Sequence, residues 1–206
     1  MHQIDNIWVF GDSYGSDDCE HTYINILKQK FNAHIKHLGQ RGHGPISTYE
    51  RFADAHRFIN EGENNDLCII LWSESFRRCD KHGLPIPGPN AQIRDPYISE
   101  NYKLAVNLYH AHLQNHLHDI STLDALQKAI SAMCLQKNTI NLQYFCFPEE
   151  AKYFNNDFDL STFSVTSDNI DDYTEEEFRN FKNHMSQKSN KLFAEKIIND
   201  YEKIIN

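Results

Sequence analysis

The sequence predicts an α/β layered domain built from βαβ units around a mainly parallel sheet. Two observations carry this. Short apolar runs alternate with segments of helical spacing along the chain. One run, Leu67-Cys68-Ile69-Ile70-Leu71-Trp72, is unbroken in its apolarity, as a central strand covered on both faces must be. No Pro/Gly/Ser-rich linker divides the 206 residues, of which 40% are hydrophobic, so one sizeable core and a single domain over 1–206 are expected.

The first strand is expected at 7–10, where Ile7-Trp8-Val9-Phe10 runs into Gly11-Asp12-Ser13. That order puts a hydroxyl at the carboxyl end of a strand, where α/β proteins build their sites, and makes Ser13 the leading nucleophile candidate. A helix over 22–31 has Ile24, Leu27, Lys28 and Phe31 along one side, and a weaker strand follows at 34–38. Glycines at 39, 42 and 44 with Pro45 break the chain before a helix over 47–59, spaced through Tyr49, Phe52, Ala53 and Phe58. After the central strand at 67–72, the segment 73–96 is irregular and proline-rich, in the manner of loops that wall a binding cleft. Helices are expected at 99–118 and 121–136, and a last strand at 140–147 closed by Pro148. The acidic, aromatic stretch 153–173 has no clear period and is expected to wrap the surface. Ser186 is positioned to cap a final helix with Leu192, Phe193, Ile197, Ile198, Tyr201 and Ile204 on its apolar side.

A net charge of −9 disfavours nucleic acid or an anionic membrane as the main partner, because both require clustered Lys and Arg. A neutral or weakly charged small molecule fits better. Five cysteines, at 19, 68, 79, 134 and 146, have no CxxC spacing, and their odd number points to reduced thiols in a cytoplasmic compartment. The first residues lack the basic start and apolar core of a signal peptide, and no apolar run reaches the roughly 18 residues of a membrane span, so a soluble protein is expected.

Two other chemistries are weaker on these residues. His112 and His116 share a helix face at i, i+4, with His110 and His118 nearby, but no Glu follows as in HExxH and Asp119 lies off that face, so no metal is expected. The run 39–44 has neither the Gly-Lys-Ser/Thr end of a P-loop nor Gly-x-Gly-x-x-Gly spacing, and no cofactor is assigned.

Gly11-Asp12-Ser13 after the first strand, Gly42 after the second, a loop after a strong third strand and His184 before a C-terminal helix together resemble the SGNH hydrolase (GDSL-like esterase/lipase) superfamily. The likeness is one of motif order across nearly the whole chain. It implies a three-layer α/β/α flavodoxin-like sandwich with a mainly parallel sheet of about five strands, and ester hydrolysis through an acyl-serine intermediate. On that resemblance Ser13 attacks, His184 takes and returns the proton, Asp12 fixes the turn, and the amide of Gly42 donates to the oxyanion, with Gly39 and Gly44 as competitors for that place. Two blocks depart from the pattern. Trp72-Ser73-Glu74-Ser75 replaces the usual Gly-x-Asn-Asp, leaving Ser73 or Ser75 to donate a hydroxyl. Phe181 stands where an Asp usually precedes the histidine, so either a dyad operates or Asp168, Asp171, Asp172 or Glu177 supplies the acid.

The expected function is therefore a serine esterase acting on a small acyl ester, such as a carbohydrate O-acetyl group. The alternative is a catalytically impaired protein of the same fold that binds a glycan or a protein partner. The oligomeric state is left open.

Overall fold

The computed structural model describes residues 3–15, 22–40, 43–61, 65–75, 77–78, 86, 100–156, 160 and 185–206. Of the expected site residues, Gly42 and His184 lie outside these, as do most of the 73–96 loop and the acids between 168 and 177.

Four parallel strands form one sheet in the order β2-β1-β3-β4: β1 (Asn6–Phe10), β2 (His34–His37), β3 (Asp66–Trp72) and β4 (Ile140–Phe145). The expected sheet of about five strands thus has four among the described residues, one for each apolar run. β3 is buried at every residue and pairs on both sides, with β1 from Asn6↔Asp66 to Phe10↔Ile70 and with β4 from Leu67↔Ile140 to Trp72↔Phe145. This explains why its run is apolar without alternation.

Among the described residues there are six helices of α type: α1 (Tyr23–Phe31), α2 (Pro45–His56), α3 (Glu100–Leu108), α4 (His116–Gln136), α5 (Pro148–Tyr153) and α6 (Gln187–Ile205). Alternate strand residues face opposite ways. Ile7, Val9, Leu67, Ile69 and Leu71 pack with Ile24 and Leu27 of α1 and with Phe193 and Ile197 of α6. Trp8, Phe10, Cys68, Ile70 and Trp72 pack with Phe52 of α2 and with Leu123 and Ile130 of α4. The product is a three-layer α/β/α sandwich. Phe52 and Phe193 are fully buried, one on each face; removing either ring would cost about 3–5 kcal/mol.

Helix boundaries follow local chemistry. Ser186 caps α6, its side chain accepting from the Ser189 amide. The expected 99–118 helix instead ends at Leu108, passes through a π turn (Tyr109–Leu113), and α4 starts at His116 rather than at 121. Asn115 is the reason, because its Oδ1 accepts from the His118 amide and so caps a new helix. α5 follows β4 where only a chain break was expected; Pro148 occupies the first helical turn and Glu149 and Glu150 complement its dipole. Asn32 lies in the left-handed region just after α1, where a helix must turn away.

Candidate active site at the carboxyl end of the sheet

The loops leaving all four strands meet at one end of the sheet. β1 passes through Gly11, whose φ of +155° and close approach to β3 both require glycine: a Cβ there would lie 2.7 Å from Cβ of Leu71. Asp12, wholly buried, then closes the turn. Its Oδ1 accepts from the Tyr14 amide at 3.0 Å and its carbonyl accepts from the Gly15 amide at 3.0 Å. Ser13–Gly15 therefore forms a single 3-10 turn, and the Ser13 backbone opens it directly beyond the strand.

The second loop is stitched to the first. The Leu38 amide donates to the Val9 carbonyl at 2.7 Å and the Gln40 amide to the Gly11 carbonyl at 2.9 Å. Gly39 and Gly15 touch so closely that a Cβ on Gly39 would meet the Gly15 carbonyl at 2.6 Å. The competitors for the glycine donor are thereby separated: Gly39 packs on Gly15, and Gly44 caps α2 against the carbonyl of Arg77, which a Cβ would approach to 2.1 Å.

The third loop is anchored in several places. Ser73 is buried and its Oγ donates to the His43 carbonyl at 3.0 Å, which commits the hydroxyl proton to tying the second and third loops together. The Ser75 amide donates to Oε1 of Glu150 at 2.6 Å. Arg78 pairs with the buried Asp119 and also donates to the Ser75 carbonyl at 2.8 Å. Asp119, which the sequence places off the face shared by His112 and His116, is therefore paired with an arginine. Among the described residues no group of three or more His, Cys, Asp or Glu is placed to hold a metal.

Arg77 occupies the centre. Its Nη1 reaches Oδ2 of Asp12 at 3.3 Å, its Nε pairs with Glu74, and its guanidinium lies over the Phe147 ring, 5.2 Å from the centroid. Phe147 in turn meets Tyr14 edge-on at 6.3 Å. Cys146 leaves β4 with its Sγ 3.7 Å from Oδ1 of Asp12. Burial pushes that thiol well up, and the Asp12 charge adds to the effect, so Cys146 stays protonated and inert. Burial also raises the Glu74 carboxyl, with the nearby Glu150 and Asp12 charges adding to the rise and Arg77 opposing it. His43 is held neutral, lowered by burial and by Arg51.

Asp12, Ser13 and Ser73 thus stand at the carboxyl ends of two adjacent strands, β1 and β3. Sequence reasoning missed Arg77 and Glu150. Pro148-Glu149-Glu150 after an apolar run was a usable signal, since it is the opening of a helix at a strand's carboxyl end.

This α/β/α sandwich is similar in fold to the solved structure of a protein of the lipolytic G-D-S-L family. A solved structure of a protein assigned to the lipolytic G-D-S-L family, from Desulfitobacterium hafniense DCB-2, superposes with a TM-score of 0.50 at 16% identity, covering 92% of this chain and 95% of that one. The acetyl xylan esterase AlAXEase aligns over 95% of this chain and 98% of its own at 13% identity and a TM-score of 0.47. A G-D-S-L family member from Veillonella parvula DSM 2008 aligns over 94% and 96% at 12% identity and a TM-score of 0.37. No protein-family model and no curated protein matches the chain. At these identities the likeness is one of fold. Among the described residues no helix is long and apolar enough to cross a membrane.

Proposed function

We propose that the chain, as one domain over 1–206, is a serine ester hydrolase working through an acyl-serine intermediate on a small acyl ester, a carbohydrate O-acetyl group being the preferred class. The observation that carries this reading is the Gly11-Asp12-Ser13 turn at the end of β1, held by Asp12 and enclosed by the loops from β2 and β3. A serine on such a turn is presented to a cleft rather than to a core.

In this reading Ser13 Oγ adds to the ester carbonyl while His184 accepts its proton. The pair of electrons displaced onto oxygen is met by backbone donors, Gly42 among them. Collapse expels the alcohol, which takes the proton back from His184, and water repeats the sequence on the acyl-serine. Asp12 is a positioning residue, and Ser73 supports the site by tying two loops together. The reaction needs no cofactor or metal. Scattered cysteines, of which Cys68, Cys134 and Cys146 are free and buried, fit a cytoplasmic setting, and the net charge of −9 fits a small-molecule partner rather than nucleic acid.

The second reading, an inactive glycan- or protein-binding relative, draws on one observation. Ser73-Glu74-Ser75, directly after β3, holds no asparagine, and the Ser73 hydroxyl that could replace it already donates elsewhere. A fluorophosphonate probe separates the two readings, because capture requires an activated hydroxyl. Labelling of the native chain that disappears in Ser13→Ala supports the hydrolase; no labelling of the native chain favours the binding module.

A further inference from the structure

In the third loop the Ser73 hydroxyl is already spent on the His43 carbonyl, and Arg77 has donors to spare. A guanidinium carries five N–H groups in a rigid fork. Nε faces Glu74 and Nη1 faces Asp12, while Nη2 has no hydrogen-bond partner among the described residues. The group is not adrift. Its flat face rests on Phe147, and its backbone is fixed by the Glu74 carbonyl, which accepts from the Arg77 amide at 3.1 Å, and by the seat of its own carbonyl against Gly44. The side chain is 23% exposed, enough to meet a ligand and too little to be a free surface charge. The adjacent Arg78 differs in that both of its Nη groups are engaged, by Asp119 and by the carbonyls of Ser75 and Arg77.

We propose that Arg77 is a catalytic residue of this hydrolase, its Nη2 edge supplying an oxyanion donor from the third loop. The inference rests on the serine hydrolase reading above. It follows from position and charge: Arg77 contacts the carboxylate of Asp12, the residue that immediately precedes Ser13, and it combines an unspent donor edge with exposure, whereas the unpartnered Ser75 hydroxyl is buried. In the addition step the Oγ–C bond forms, the carbonyl π pair moves to oxygen and the proton leaves for the base. The new negative charge then meets a cation already in place, whose contacts with Asp12 and Glu74 hold it at a fixed angle. A charged donor in a shielded site stabilises such an oxygen more than a neutral amide does. Glu74 and Asp12 are thereby the holders of Arg77 and take no part in proton transfer.

The test is hydrolysis of 4-nitrophenyl acetate by the full chain and by Arg77→Met and Arg77→Lys. Loss of an oxyanion donor lowers kcat by roughly 100-fold or more and leaves KM within about threefold. Lysine, a point charge that Asp12 and Glu74 can fully engage, should restore no more than a tenth of the native kcat. Guanidinium ion added to Arg77→Met should recover part of kcat, which a purely structural role would not predict. If Arg77→Met does not fold, Arg77→Lys decides, with a loss of tenfold or more in kcat supporting the inference. Native kcat in the folded variants, or a change confined to KM, overturns it. Ser13-dependent fluorophosphonate capture by the native chain keeps the two claims apart. Capture with native kcat in the Arg77 variants rejects the donor role alone, whereas absence of capture rejects the hydrolase reading beneath it.

Discussion

Asp66 and Asp12 are buried aspartates at opposite ends of one sheet, and their surroundings differ in kind. At the amino end, Asp66 accepts from Nδ2 of Asn6 at 2.7 Å, from Nε1 of Trp8 at 2.7 Å and from the Asn60 amide at 2.9 Å, while its own amide donates to Oδ1 of Asn60 at 2.8 Å. Each of these partners is neutral and the network is closed. At the carboxyl end, Asp12 shares a small volume with Glu74, Arg77 and Cys146, and the arginine between the two acids keeps donors in reserve. One aspartate joins strands β1 and β3 to the end of α2. The other concentrates charge that packing alone does not require, and such concentration is characteristic of functional sites.

The contrast is broken most directly by Asp66→Ala. Three donors lose their acceptor together, one of them the buried indole, and stability should fall by about 4 kcal/mol in urea denaturation. Activity per folded molecule should be unchanged. A loss under about 1 kcal/mol would mean that the amino end is not the structural end.

Gly44→Ala comes next. Its Cβ would be driven into the Arg77 carbonyl, and α2 or the third loop must give way, at about 2 kcal/mol. Because the displaced residue is Arg77, kcat should drop with stability, in contrast to Asp66→Ala.

Asp12→Asn should be gentler on the fold and harder on the chemistry. The amide oxygen can still accept from Tyr14, so a stability loss of about 1 kcal/mol is expected, but the charge that aims Arg77 is gone. Activity should fall at least tenfold, read as kcat on 4-nitrophenyl acetate.

The smallest effect concerns Glu74. Its carboxyl is raised in the folded state, chiefly by burial, so the native protein binds a proton more readily than the unfolded chain does. Its contribution therefore favours folding below the ordinary carboxylate range and is lost as pH rises through the folded value. Glu74→Gln removes that loss. The variant should be about 0.5 kcal/mol more stable than the native chain at pH 7, an advantage that shrinks as pH falls toward 4 in thermal melts. An advantage that instead grows on acidification would reverse the sign assigned to Glu74.

Local patterns in the sequence were enough for β1, β3 and β4, because apolar runs of strand length have few other uses. They were also enough for the Ser186 cap and for the turn at Gly11-Asp12-Ser13. They could not disclose Asp66, which the apolar run at 67–72 excludes by one residue and whose partners Asn6 and Trp8 lie about sixty positions away. Arg77 was illegible for a related reason. In sequence it is one of two adjacent arginines in an irregular loop; only the parallel pairing of β1 with β3 brings it to Asp12, and only β4 brings Phe147 beneath it. Charge that matters through long-range pairing has no local spelling.

The anchoring of the third loop also governs how this end of the molecule breathes. Ser73 is tied to the second loop, Ser75 to α5, Arg78 to α4, and the Arg77 carbonyl is seated on the α2 cap. Local opening of the loop would have to release all four at once, so the amides of Ser75 and Arg77 should exchange with deuterium as slowly as the core strands do. If a ligand binds beside residues 73–75 and 77–78, this anchored part should not mould itself around it. Binding should then involve little ordering of this part, and ligands of the wrong shape should be turned away at the rim rather than accommodated.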